Sequence, residues 1–200
     1  MTLQCTQWDV QETTLGIFDF HFEITPSYLQ TKKWRKESSW YVNGKRNECE
    51  IYQVELLHCI TRLEITKTKL RLNTCDYRLC EKMYPMKDED GFEWTEDFDR
   101  MICKDDKIFY FNLKMVCGNG GAQTRSLREV YHFIKSQLEH LLIYNSQNVY
   151  FINILDGDIS HKHLNKFNFL LNDKKYSHIM EYIYIGDMYN FHTYWNTNLY

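Results

Sequence analysis

Asp99, Asn112 and Lys114 are the residues whose types and spacing carry chemistry in this chain. An acid lies ahead of a β-prone run, and a polar residue and a lysine stand two apart within that run. Side chains two apart on a strand share a face, which sets Asn112 and Lys114 side by side. A carboxylate at a turn can hold Mg²⁺ through oxygen ligands. A lysine beside the metal can orient the attacking water and neutralise developing phosphate charge, while the ion polarises the phosphoryl oxygen and lowers the pKa of bound water. These parts suit phosphodiester hydrolysis.

The elements that must position them are legible in the pattern. Phe109, Phe111, Leu113 and Met115 alternate with Tyr110, Asn112, Lys114 and Val116, the period of a strand with an apolar core face. The turn Cys117-Gly118-Asn119-Gly120-Gly121 holds three of the chain's eight glycines and permits close approach of the backbone to another molecule. Ser126 and Glu129 fit a capping box and predict a helix start there. Leu127, Val130, Tyr131, Ile134, Leu138, Leu141 and Leu142 then form an apolar stripe, with Arg128, His132, Lys135, Ser136 and Glu139 on the other side. Gln123, Arg125 and Arg128 sit at the joint of strand and helix, where free N–H groups and the helix dipole favour anions.

Around this centre the reading is coarser. Residues 15–24 alternate as a strand, Lys32–Lys36 is a basic run around Trp34, and Asn43-Gly44 signals a hairpin. For residues 51–62 the pattern leaves helix and strand open, whereas 63–70 reads as an exposed strand. Residues 73–107 read as irregular and acidic. Val149–Leu155 is a buried-type strand parallel to its sheet, residues 161–172 a second helix, and Tyr182–Ile185 a last strand. Asp156, Asp158, His161 and His163 form a second cluster of metal-ligating types, although His-Lys-His has no metal spacing here and a solvated helix start is the simpler reading. The pattern predicts an α/β or α+β sheet domain spanning residues 1–200.

Composition narrows the partners. A net charge of −3 excludes a basic protein that coats nucleic acid, yet 24 Lys and Arg residues leave room for a local basic groove. No run approaches the roughly 18 apolar residues of a membrane span, and the first residues lack the regions of a signal peptide. A cytoplasmic, reducing compartment is the expectation. The seven cysteines include no C-x-x-C pair, which predicts free thiols in place of a zinc site or disulfide framework. No G-x-S-x-G elbow, P-loop or dinucleotide glycine motif is present.

Three stretches taken together resemble a known family. Gly91-Phe92-Glu93-Trp94-Thr95-Glu96-Asp97-Phe98-Asp99, then Phe111-Asn112-Leu113-Lys114, then the run Gly120–Tyr131 are similar to type II restriction endonucleases of the PD-(D/E)xK superfamily. The resemblance covers residues 89–160 and hardly touches 1–88. It implies a restriction-endonuclease-like fold with a mixed central sheet flanked by helices, a Mg²⁺-dependent, sequence-specific cut in double-stranded DNA, and a homodimer matching a palindromic site. By position, Asp99 matches the metal-binding acid and Lys114 the catalytic lysine. Asn112 stands where the family carries Asp or Glu. A neutral amide binds metal less well than a carboxylate, so Glu93, Glu96 or Asp97 would have to supply the missing charge. The resemblance also places Gln123, Arg125 and Arg128 against DNA backbone or bases. Two alternatives stay open: a catalytically lapsed DNA-binding module of the same fold, and a structural or host-interaction protein without nuclease activity.

Overall fold

A computed structural model describes residues 48–81, 91, 94–117 and 121–199. The expected strand at 15–24, the basic run 32–36, the Asn43-Gly44 hairpin, Glu93 and the glycines Gly118 and Gly120 lie outside the described residues.

The segment that sequence left open is a helix, α1 (Glu48–Thr61). Tyr52, Gln53, Leu56, Leu57, Ile60 and Thr61 are its buried positions, a helical spacing with two polar members inserted, which weakens the amphipathic signal. The expected strand at 63–70 is corrected: Thr66 makes only an isolated bridge to Met101, and the strand proper is β1 (Leu70–Asn73). Nor are the described residues within 73–107 irregular. They hold β2 (Leu79–Glu81), β3 (Thr95–Asp97) and β4 (Arg100–Lys104). These strands are short and carry charge, so no hydrophobic alternation announces them. β1 pairs antiparallel with β2 and β3 in a small sheet.

The second sheet has the order β4-β5-β6-β7, with β5 spanning Lys107–Met115, β6 Val149–Asp156 and β7 Ile183–Gly186. β4 runs antiparallel to β5, whereas β5, β6 and β7 are parallel. The helix α2 (Gly121–Tyr144) makes the crossover from β5 to β6. It begins five residues before Ser126, so Ser126 lies inside it and caps nothing. Ala122, Gln123 and Arg125 tolerate a helix well enough to extend it backwards. The apolar run at 161–172 is not one helix either. It divides into α3 (Asp158–His163), a 3₁₀ turn (Leu164–Phe167) and α4 (Asn168–Leu171). Phe167 and Leu170 are buried there, while Phe169 is 80% exposed. A 3₁₀ stretch, Lys174–Tyr182, leads to β7, and α5 (Met188–Tyr194) follows it. Among the described residues the protein is thus a mixed α/β structure with two sheets and five α-helices.

Alternation sorts the central sheet into two cores. Phe109, Phe111, Leu113, Tyr150, Ile152 and Ile154 pack against α1, Phe191 of α5 and Trp195. Tyr110, Phe151 and Leu155 pack on the opposite face against Val130, Phe133, Ile134 and Leu138 of α2. Phe98 stacks on Phe151 with ring centroids 5.3 Å apart, joining the approach to β4 to the α2 face. Side chains expected on the wet side of α2 are partly enclosed: Ser136 and Glu139 are buried. Ser136 Oγ donates to His132 O (3.1 Å), and Glu139 accepts from Lys175 Nζ (2.8 Å) and Tyr176 Oη (2.7 Å). The 3₁₀ stretch covers a flank of α2 that the local pattern assigned to solvent.

Candidate functional site around Asp99 and Lys114

The antiparallel register Arg100↔Phe111 brings the bend before β4 alongside the second half of β5. Asp99 N donates to Phe111 O at 2.8 Å, and Leu113 N donates to Asp99 Oδ2 at 2.7 Å. Lys114 Nζ stands 3.9 Å from the same Oδ2, with 38% of the lysine side chain and 23% of the aspartate side chain exposed. The carboxylate therefore sits half-enclosed in a backbone-made cradle, with an ammonium at its open side. Burial pushes the Asp99 carboxyl above the usual carboxylate range, the neighbouring Glu50 adds to this, and Lys114, the Leu113 N–H and Arg100 oppose it.

Glu96 enters the same field from β3. Desolvation raises its carboxyl above the usual range, opposed by Lys114 and reinforced by Glu129 and Asp97. Asp97 belongs elsewhere: it is ion-paired with Arg71, whose Nη1 also donates to Thr95 Oγ1 at 3.1 Å. Neighbours on a strand face opposite ways, so Glu96, exposed at the middle of β3, points away from the Asp97–Arg71 pair. Burial disfavours the charged form of both carboxyls while Lys114 favours it, and a divalent cation beside Asp99 would favour the charged form further. Mg²⁺ takes one or two carboxylates and completes its shell with water and substrate phosphates. Asp99, half-enclosed with Lys114 Nζ at 3.9 Å, can offer one such carboxylate. Among the described residues no group of three or more His, Cys, Asp or Glu converges as a metal cage.

Asn112 shares a strand face with Lys114 but not its surroundings. It is 1% exposed, and its Nδ2 donates to Asn153 Oδ1 at 3.0 Å. Asn153 Nδ2 donates in turn to Gln137 Oε1 (2.7 Å) and Tyr184 O (3.3 Å), and Gln137 Nε2 returns a bond to Asn153 Oδ1 (3.1 Å). Asn112 Oδ1 is buried without a hydrogen-bond partner among the described residues. The residue expected at the catalytic position is thus the end of an amide chain that joins β5, β6, β7 and α2. Gln137 and Asn153 are the participants the sequence reading did not single out. The signal was available: each is a lone amide within an apolar pattern, and such a group must find a partner when buried.

Arg125 and Arg128 are exposed on the first turns of α2, and Gln123 lies in the same turns of the backbone. Leu127 clusters with Val116 at the end of β5 and with Ile159 of α3, which places this end of α2 at the same end of the sheet as Lys114. The second expected constellation does not converge. Asp156 is buried, accepting from Gln53 Nε2 (2.7 Å) and Met188 N (3.0 Å), whereas His161 is exposed on α3. No disulfide joins the six described cysteines. Among the described residues no helix is long and apolar enough to cross a membrane.

Comparison with known proteins returns no match for this chain, whether against family models, curated proteins or solved structures.

Proposed function

We propose that this chain is a metal-dependent, sequence-specific endonuclease acting on double-stranded DNA, of the type II restriction kind and with a restriction-endonuclease-like core. The observation that carries the reading is the 3.9 Å approach of Lys114 Nζ on β5 to Asp99 Oδ2 in the bend before β4. Asp99 and Glu96 would hold Mg²⁺, which would polarise a phosphoryl oxygen and lower the pKa of bound water. Lys114 donates to the attacking oxygen or to the phosphate and keeps it in line, a gain from positioning and charge. Arg125 and Arg128 are free to meet phosphates at the same end of the sheet, and a two-fold dimer would present one such centre to each strand of a palindrome. In the cut the water oxygen would bond to phosphorus and lose a proton to solvent, while the bond from phosphorus to the sugar oxygen breaks and that oxygen takes a proton from solvent.

A second reading, a DNA-binding module of the same fold that no longer cuts, is favoured by one observation, the burial of Asn112 in the amide chain. Incubation of mixed-sequence plasmid DNA with Mg²⁺ or Mn²⁺ separates the two. Discrete fragments from the wild type, abolished by Lys114→Ala and by Asp99→Asn, support the nuclease. A silent wild type that still retains DNA at low salt supports the binding module. Silence without retention overturns both.

A further inference from the structure

Asp99 is held by more than its own side chain. Arg100 Nη1 donates to Asp99 O at 2.6 Å, and the same nitrogen stands 2.6 Å from Glu50 Oε1 of α1. The arginine side chain is only 16% exposed and the glutamate 35%, so this is a partly enclosed, charge-assisted contact and not a solvated surface pair. With Phe111 O accepting from Asp99 N and Leu113 N donating to its carboxylate, the main chain and side chain of Asp99 are pinned at three points. Two of those points are in β5. The third is Arg100, and Arg100 is itself held by a helix from the half of the chain that the family resemblance leaves unassigned.

We infer that Arg100 and Glu50 are positioning residues that clamp Asp99 against β5, with Glu50 orienting the guanidinium and Arg100 fixing the Asp99 carbonyl and hence the direction of its carboxylate. A guanidinium suits this task because one planar group can serve a carboxylate and a carbonyl together. Were the pair only a fastening for α1, its loss would lower stability and leave the Asp99–Leu113 contact untouched. The inference rests on the nuclease reading for its purpose, though not for its geometry.

The test uses the full chain with two readouts at one fixed pH: the ¹H–¹⁵N signal and hydrogen exchange of the Leu113 amide, and Mn²⁺ affinity by calorimetry. Arg100→Gln and Glu50→Ala are expected to move the Leu113 signal, speed its exchange and weaken Mn²⁺ binding about tenfold, the low end for loss of a supporting partner. Glu50→Gln keeps an acceptor oxygen for Arg100 and is expected to restore both readouts. Lys175→Gln, which breaks a distant pair with Glu139, serves as the control and leaves both readouts in place. Should Arg100→Gln fail to fold, the two Glu50 variants carry the comparison. A Leu113 signal unmoved by Glu50→Ala overturns the clamp. A wild type that does not bind Mn²⁺ overturns the nuclease reading and with it the purpose assigned to the clamp, a failure visible separately from the first.

Discussion

Asn112 Nδ2 and Asn153 Oδ1 meet at 3.0 Å in the interior of the sheet, in exact register on adjacent parallel strands. This pairing settles what Asn112 does in the fold: it holds β5 to β6 beneath Gln137 of α2. A buried amide network is costly when broken because each orphaned group loses its water without replacement.

Asn153→Leu is accordingly expected to destabilise the protein by about 3 kcal/mol or more, since the side chains of both Asn112 and Gln137 lose partners. Asn112→Asp is expected to lose stability as well, as it sets an oxygen against Asn153 Oδ1 and buries a charge. Urea denaturation with and without Mg²⁺ reads both. A midpoint for Asn112→Asp that Mg²⁺ restores would show that position 112 opens on the metal after all.

Gly157 is required by two features at once. Its φ of 100° lies in the region L side chains avoid, and a Cβ there would come within 2.3 Å of Val116 O. Gly157→Ala should cost about 2 kcal/mol and disturb the shared ends of β5 and β6. Gly121→Ala is the contrasting case: among the described residues nothing lies within 4 Å of its added Cβ, and it is expected to be neutral or to stabilise by up to about 1 kcal/mol. Thermal melts of the pair give the comparison.

Stability should fall with acidification, beginning with His140. Burial lowers its pKa, against the opposing hydrogen bond to Tyr77 O at 2.7 Å. The folded state therefore binds the proton less readily than the unfolded chain. Its contribution is complete above the ordinary value of 6.5 and is lost as pH falls through the folded value. Glu139 follows at lower pH. Burial raises its carboxyl, but the hydrogen bonds from Lys175 and Tyr176 outweigh that and leave it below 4.5, so its contribution is lost as pH falls beneath that value. Urea midpoints at pH 7.5 and 5.5 for wild type and His140→Gln check the first, the wild type being expected to lose more on acidification. Equal losses would exclude His140 as the cause.

DNA affinity, on the proposed reading, should depend on Arg125 and Arg128 without regard to sequence if they meet phosphates. Arg125→Ala and Arg128→Ala would then each reduce the slope of log affinity against log salt by about one. Fluorescence anisotropy over a range of salt concentrations measures it. A slope left unchanged by both removes them from the interface.

What the sequence determined by itself is what local periodicity encodes. The alternation at 109–116 specifies β5 and puts Asn112 and Lys114 on one face. The stripe Leu127–Leu141 specifies α2, and the apolar run at 149–155 specifies β6, because burial repeats every two or 3.6 residues. What only the tertiary structure decided is which polar groups meet. Glu96 and Asp97 are adjacent in sequence and both acidic, yet strand geometry leaves the first exposed and pairs the second with Arg71. Asn112 and Lys114 share a face, yet Asn153 and Gln137 enclose the first while the second reaches Asp99 at the open end of the strand. Glu50 lies far from Asp99 in sequence and is joined to it through one arginine nitrogen. No local pattern encodes such contacts, since they arise from the register of paired strands and the docking of α1, and both are set by the packing of the whole core.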